Sequence, residues 1–337
     1  MIRPALLLSG VDIRALMKPA DYFRAVEAGF LASKQGRTQS PAPMHIPVAG
    51  GGFHAKGAYL AADSVTGRSY VALKLNGNFP GNPKRTGLPT IQGAILLCDA
   101  GNGSVLAILD SIEVTVMRTA AASAVAASRL ARKTSSTLLI CGCGQQAMPH
   151  AVALADVLPI RKIFVSDIEP GKANRFATAA QAQLGIEVEA VGCFSEVSPR
   201  CDVIVTCTTS TAAFLCAEHL SSGAFVAAVG ADSASKSEIA PDLMEQAKVV
   251  VDVFDQCVAM GDLRLAMASS ALSSSDVYAD LGEIVSGMKP GRASEDEIIV
   301  SDSTGTAIED VASAAMIYER AVEQGAGSPF ILSPGAP

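Results

Sequence analysis

Residues 138–147, LLICGCGQQA, constrain this chain more than any other stretch. An apolar run of β type ends in Gly142-Cys143-Gly144-Gln145-Gln146-Ala147, and a helical pattern with Ala151, Ala153 and Leu154 follows. Twenty-five positions beyond Gly142, a second apolar run, IFVSD, ends in Asp167. A first glycine permits a tight turn, and a second lets the backbone approach a pyrophosphate. A small third residue lets the helix pack on the strand, and an acid at the end of the next strand accepts ribose hydroxyls. The four features in register point to a bound nucleotide cofactor; the alternative is a glycine turn in some other α/β protein.

The composition narrows the class. A chain of 337 residues, 49% hydrophobic and 18% charged, can bury a large core and divide into two domains. A net charge of −7 without a basic block argues against nucleic acid or an acidic membrane surface as partner. Tryptophan is absent and aromatic residues make up only 5%, too few for base-stacking platforms. The N-terminal apolar run is short and passes at once into a charged helical pattern, unlike a signal peptide, and no stretch is long enough to span a membrane. The cysteines (98, 141, 143, 193, 201, 207, 216, 257) fall mostly inside apolar runs and read as reduced core residues of a cytoplasmic protein. Cys141 and Cys143 flank Gly142, but no second Cys/His pair sits at ligand spacing. The histidines (45, 54, 150, 219) are scattered, so no metal site is expected.

The periodicity predicts a helix over 12–35, then strands joined by Gly/Asn/Asp turns from about Pro41, with a hairpin turn at 100–104. An alanine-rich helix is predicted over 112–132. From 136 a βαβ rhythm sets in: TLLICG, KIFVSD, EVEAVG, CDVIVTCT, AFVAAVGA and KVVVDV alternate with helices starting near Gln146, Pro170, Ala240 and Gln256. A last helix is predicted over 303–324. The expected fold class is α/β: a Rossmann-type doubly wound parallel sheet plus a mixed α+β substrate-binding and dimerisation domain. The expected boundaries are 1–118 with 318–337 for the mixed domain and 119–317 for the nucleotide domain.

Six motifs occur in order along nearly the whole chain: VALKLNGNFPGN (71–82), GLPT (87–90), MRTAAA (117–122), GCGQQA (142–147), VGAD (229–232) and STGTAIED (303–310). In these the chain resembles the ornithine cyclodeaminase/mu-crystallin family. That family includes amino-acid cyclodeaminases, ketimine and pyrroline-carboxylate reductases, alanine dehydrogenases and a binding protein of the lens. The resemblance implies a dinucleotide-binding homodimer, paired through the mixed domain and the C-terminal tail.

The residues carry matching chemistry. Lys74 lies in an apolar strand, where an unpaired ammonium is costly, beside the glycine-rich NGNFPGN turn. It reads as an anchor for a substrate carboxylate, the part the resemblance gives it; the alternative is a packed stem with its head in water. Arg118 has Val114, Met117, Ala121 and Ala122 around it on the helix, next to Thr119. A buried guanidinium there calls for a carboxylate or the cofactor phosphates. Asp232 ends the run AFVAAVGAD, which reads as a strand, and a carboxyl at the carboxyl end of a parallel strand can exchange a proton with an amine or imine nitrogen; the alternative is a helix N-cap. The resemblance adds Thr90, Thr119, Thr208, Val229, Gly230, Lys236 and Ser303 as cofactor contacts beside Gly142, Gly144, Gln145, Gln146 and Asp167. It also places Thr304 and Gly305 at the nicotinamide end. A carboxylate at Asp167 accepts from the ribose and repels a 2′-phosphate, which favours NAD(H) over NADP(H), though Lys172 and Arg175 follow closely.

The chain departs from the family in one region. Where ornithine-type cyclodeaminases carry a carboxylate-binding arginine, it reads PAPMHIPV (41–48), with Met44 and His45. Where they carry a glutamate facing the distal amino group, FHAKGAYL (53–60) places Lys56. A lysine repels a second ammonium and favours an anionic group. The expected function is therefore NAD(H)-dependent reduction of a small cyclic or linear α-imino acid to the L-amino acid. Asp232 would be the proton donor, and Lys56, Lys74 and Arg118 the anion clamp. The alternatives are ornithine-type cyclodeamination and a non-catalytic binding protein. His45 and His54 read as ordinary polar residues at strand ends.

Overall fold

The computed structural model describes residues 4–62 and 67–332. The remaining residues of the expected mixed domain (1–3, 63–66 and 333–337) lie outside that description. The chain divides into two units, one formed by the segments up to Arg118 and from Thr306 onward, the other by Thr119–Gly305.

The first unit opens with strand β1 (Ala5–Leu8) and helices α1 (Gly10–Leu16) and α2 (Pro19–Lys34). The single helix expected over 12–35 is thus two. Pro19 restricts the preceding residue to extended backbone, and Lys18 adopts φ −103°, ψ 163°. Proline then serves as the first residue of α2, where its missing N–H costs nothing. Next come β2 (Thr38–Gln39), β3 (Met44–Val48), β4 (Gly51–Leu60), β5 (Tyr70–Asn78), α3 (Asn82–Arg85), β6 (Ile91–Asp99), β7 (Val105–Asp110) and α4 (Ser111–Leu130). Antiparallel ladders join β4 to β5, β5 to β6 and β6 to β7, while β1 pairs parallel with β7. Along β5 the burial alternates: Tyr70, Ala72 and Lys74 are buried, whereas Val71, Leu73 and Leu75 are exposed, as a period of two requires.

The second unit holds β8 (Thr137–Cys141), α5 (Ala147–Val157), β9 (Lys162–Ser166), α6 (Pro170–Leu184), β10 (Glu187–Ala190), β11 (Val203–Thr206) and β12 (Phe225–Ala228). It continues with α7 (Pro241–Gln246), β13 (Lys248–Val251), α8 (Phe254–Met260), α9 (Leu263–Ala268), β14 (Ala279–Asp280), α10 (Leu281–Val285) and β15 (Ile299–Asp302). These strands form one parallel sheet in the order β10-β9-β8-β11-β12-β15-β13-β14. The strands β8, β11, β12, β13 and β15 are almost wholly buried, so they read as continuous apolar runs. The order reverses between β8 and β11, the switch point at which open α/β sheets bind ligands. Strand β15, wedged between β12 and β13, was not singled out by the βαβ rhythm.

The chain returns to the first unit through α11 (Ala307–Gln324) and β16 (Ser328–Phe330), which pairs antiparallel with β1. The helix expected from Ser303 begins at Ala307, because Thr306 caps it: the Glu309 N–H donates to Thr306 Oγ1 and the Thr306 N–H to Glu309 Oε1. An expected boundary at 317/318 would cut this helix in two. The whole of α11 instead packs on α2, β4 and β5, and the Arg320 guanidinium donates to the buried Asp21 carboxylate of α2 at 2.6 and 2.7 Å. Among the described residues no helix is long and apolar enough to cross a membrane.

Candidate functional site

In the second unit, the turn after β8 is built for close approach. Gly142 has φ +98°, and a Cβ there would lie 2.9 Å from the Cys207 carbonyl oxygen and 3.0 Å from Thr208 Cγ2. Only glycine takes that conformation without strain, and only glycine leaves room for the β11 loop. A Cβ at Gly144 would meet nothing within 4 Å. A cavity of about 580 Å³ opens here, lined among others by Gly142, Gly144, Asp167, Lys172, Thr208 and Phe214. Asp167 stands one residue past β9. Its Oδ2 accepts the Cys143 N–H at 2.8 Å, and its Oδ1 accepts the Glu169 N–H at 2.9 Å. Burial opposes ionisation of this carboxyl, but those two N–H groups and Lys172, 3.4 Å away, outweigh it and lower the pKa. Gln145 and Gln146 lie just ahead of α5.

Asp232 does not end a strand. β12 stops at Ala228, and Asp232 sits four residues on, half exposed, with Lys236 Nζ 2.7 Å from its Oδ1. Val229 and Gly230 lie between them. Ser303 Oγ donates to Asp252 Oδ2 at 3.3 Å, and the Thr304 and Gly305 N–H groups donate to the same oxygen at 2.7 Å. Asp252, at the end of β13, thus sets the loop expected at the nicotinamide end.

In the first unit, Lys74 and Arg118 come together. Lys74 Nζ lies 2.5 Å from Asp310 Oδ2, Arg118 Nε 3.0 Å from Asp310 Oδ1, and Arg118 Nη1 2.9 Å from Glu309 Oε2. All four side chains are buried. Burial pushes Lys74 down to about 8; Asp310 pulls it up, while the charges of Arg118 and Lys56 add to the lowering. Burial also works against the Asp310 carboxylate, but Lys74 and Arg118 outweigh it and lower its pKa. Lys56 is the register partner of Lys74 across the β4–β5 ladder, so both side chains leave the same face of the sheet. His45 and His54, also register partners, stack with ring centroids 4.4 Å apart. Thr90 belongs to this unit as well, and its carbonyl accepts the Phe79 N–H at 2.7 Å.

The anions of this cluster were missed by the sequence reading. Arg118 does satisfy itself with carboxylates, but they are the protein's own. Glu309 and Asp310 close the STGTAIED motif, and two acids at the start of an apolar helix, in a chain with two buried cations, were the available signal. Glu238, Asp252, Asp262 and Asp302, all buried at the carboxyl ends of the parallel strands, also went unread. Cys193 is exposed, whereas Cys141, Cys143, Cys201 and Cys257 are buried.

A parallel sheet with a glycine turn and an ionised acid at its switch point, joined to a mixed unit with a buried lysine–arginine–carboxylate cluster, defines a two-unit protein of the dinucleotide-binding class. Within that class the chain belongs to the ornithine cyclodeaminase/mu-crystallin family, whose sequence profile matches residues 4–325. It is similar to an archaeal alanine dehydrogenase solved as a dimer with bound NAD: TM-score 0.92, 33% identity, 98% of this chain and 99% of that one. It is also similar to the Δ1-pyrroline-2-carboxylate reductase of Thermococcus litoralis, solved with NADH and L-proline (TM-score 0.91, 32% identity, 96% and 99% covered). The iminosuccinate reductase of Paracoccus denitrificans is 33% identical over 325 residues, which span 95% of this chain and 98% of that protein.

Proposed function

We propose that this protein is an NAD(H)-dependent reductase of a small cyclic or linear α-imino acid, giving the L-amino acid. The observation that carries the reading is the pairing of Lys56 with Lys74 on one sheet face beside Arg118. Two ammonium groups opposite each other repel, and together with Arg118 beside Asp310 they make a cationic face that suits an anionic substrate group. The same pair disfavours a diamine, whose distal ammonium would meet Lys56. The three relatives named above, each an imino-acid reductase or amino-acid dehydrogenase by name, support the same chemistry.

The residues of the second unit fit a dinucleotide. The Gly142 turn and the open side of Gly144 suit a pyrophosphate, and the ionised Asp167 suits an unphosphorylated adenosine ribose, hence NAD(H). A bound nicotinamide supplies the hydride that converts C=N to CH–NH. Lys74 and Arg118 hold the substrate carboxylate, and Asp232, directly or through water, gives the nitrogen its proton. One hydride and one proton balance the reduction.

The outward face of the mixed sheet carries Met44, Ile46, Val71, Leu73 and Leu75, all exposed. A second copy of the chain covers this apolar face, giving a homodimer that light scattering would detect. The unpaired thiols suit the reducing cytoplasm.

The test is loss of NADH absorbance with Δ1-pyrroline-2-carboxylate, run beside NAD with L-ornithine and ammonia detection. NADH loss without ammonia supports the reductase. Ammonia and proline from ornithine without net NADH change make the protein a cyclodeaminase and remove Lys56 from an anion clamp. Tight NADH binding without turnover on any imino or amino acid makes it a binding protein.

A further inference from the structure

Glu238 joins two loops at the nucleotide end of the second unit. It is fully buried. Its Oε1 accepts the Thr208 N–H at 2.6 Å, and its Oε2 accepts the Gly230 N–H at 2.8 Å. Thr208 follows β11 and Gly230 follows β12, which are adjacent in the sheet. One carboxylate therefore ties together the carboxyl ends of two neighbouring strands, and the residues after the first of them, Cys207 and Thr208, line the cavity.

Both loops carry residues of the proposed NAD(H) site. Thr208 and Cys207 press on the Gly142 turn, and the Cys207 thiol donates to the Gly142 carbonyl at 3.2 Å. On the other side Gly230 precedes Asp232 by two residues. No side chain fits at position 230, because a Cβ would lie 2.5 Å from the Glu238 oxygens. Glu238 is held in turn by Asp262, whose Oδ1 accepts the Glu238 N–H at 2.7 Å, the Ile239 N–H at 3.1 Å and the Ser237 hydroxyl at 3.0 Å. Asp262 Oδ2 is buried and has no hydrogen-bond partner among the described residues.

We infer that Glu238 is a positioning residue: it sets the spacing between the Cys207–Thr208 wall of the nucleotide crevice and the Gly230–Asp232 loop. The inference rests on the crevice being an NAD(H) site, as proposed above. The requirement is specific to a carboxylate, since both oxygens accept from backbone N–H groups. An amide offers one acceptor and one donor, so an N–H would be turned against an N–H. Asp262 differs, because one oxygen takes three donors while the other faces none, and an asparagine fits that arrangement.

The experiment compares the parent protein with Glu238→Gln, Glu238→Asp and Asp262→Asn. It reads NADH affinity by fluorescence titration, kcat and KM for the preferred imino acid, and Tm. Glu238→Gln is expected to weaken NADH binding about tenfold and to lower kcat. Glu238→Asp, which keeps the charge but is too short to span both N–H groups, should fall between parent and Gln and serves if the Gln protein does not fold. Asp262→Asn should stay within about twofold of the parent for NADH. A Glu238→Gln protein with lower Tm but parental NADH affinity and kcat makes Glu238 a packing residue and overturns the inference. So does an Asp262→Asn protein as impaired as Glu238→Gln. A parent protein without NADH affinity overturns the cofactor reading itself, a result visible before any variant is made.

Discussion

Lys74 Nζ lies 2.5 Å from Asp310 Oδ2, and Arg118 Nε lies 3.0 Å from the other oxygen of the same carboxylate, with all three side chains buried. One acid on α11 thus bridges two cations, one from β5 and one from α4, and with Glu309 it balances their charge. Glu309 still answers Arg118 at 2.9 Å, so removing Asp310 takes the carboxylate from Lys74 and leaves one buried positive charge uncompensated in a poor dielectric. Asp310→Asn is expected to destabilise the protein by about 3–5 kcal/mol, measured by denaturant unfolding; a loss within experimental error would mean the cluster is solvated in solution.

The same cluster predicts a pH dependence. Burial, with Arg118 and Lys56 nearby, lowers Lys74 to about 8. Between that value and the usual lysine range the unfolded chain binds the proton and the folded chain does not, so stability contributed by this group rises with pH across the window. Activity moves the opposite way. A substrate carboxylate needs the ammonium, so KM for the imino acid should climb as pH passes about 8. Lys74→Arg, charged throughout, should flatten that rise. An unchanged profile in the variant would assign the titration to another group.

The two fingerprint glycines should fail in different ways. Gly142→Ala meets both a positive φ and the Cys207 carbonyl, a strain of about 1–3 kcal/mol that lowers Tm. Gly144→Ala meets no protein atom and should leave Tm near the parent value while weakening NADH binding. Equal Tm loss in both would show that Gly144 is structural.

Asp167 is held ionised by two backbone N–H groups and Lys172. Its carboxylate should exclude a 2′-phosphate, so kcat/KM with NADH should exceed that with NADPH. Asp167→Ser, which removes the charge and leaves Lys172 and Arg175 nearby, should move the ratio toward NADPH by about tenfold or more. Equal use of both cofactors by the parent protein would remove Asp167 from cofactor choice.

Asp232 is half exposed and paired with Lys236 at 2.7 Å, a position open to proton exchange with solvent. Asp232→Asn should cut kcat by about a hundredfold or more, the usual yield of general acid catalysis, with NADH affinity intact. Full activity would take Asp232 out of the mechanism.

Much of this architecture was legible because it is written in local pattern. The runs TLLIC, KIFVS and VIVT became β8, β9 and β11, since buried parallel strands need apolar residues on both faces. Where expectation and structure parted, a local competitor or a distant partner was responsible. Pro19 split one helix into two, and the Thr306–Glu309 capping box delayed α11 by four residues. The short run ending at Asp302 gained its identity as β15 only from the neighbours β12 and β13. Lys74 and Arg118 announced themselves as charges in apolar surroundings, but their partners lie about two hundred residues away in sequence: |i−j| is 192 for Arg118–Asp310.

By itself the sequence determined the dinucleotide turn at Gly142, the acid at Asp167, the parallel sheet and the family, because each is written in short local segments, the family in six of them strung along the chain. Only the tertiary structure decided which acids answer the buried cations, that Lys56 faces Lys74, and that Glu238 ties two strand ends together. Those are charge and hydrogen-bond balances closed across the fold, and no spacing within a single segment records them.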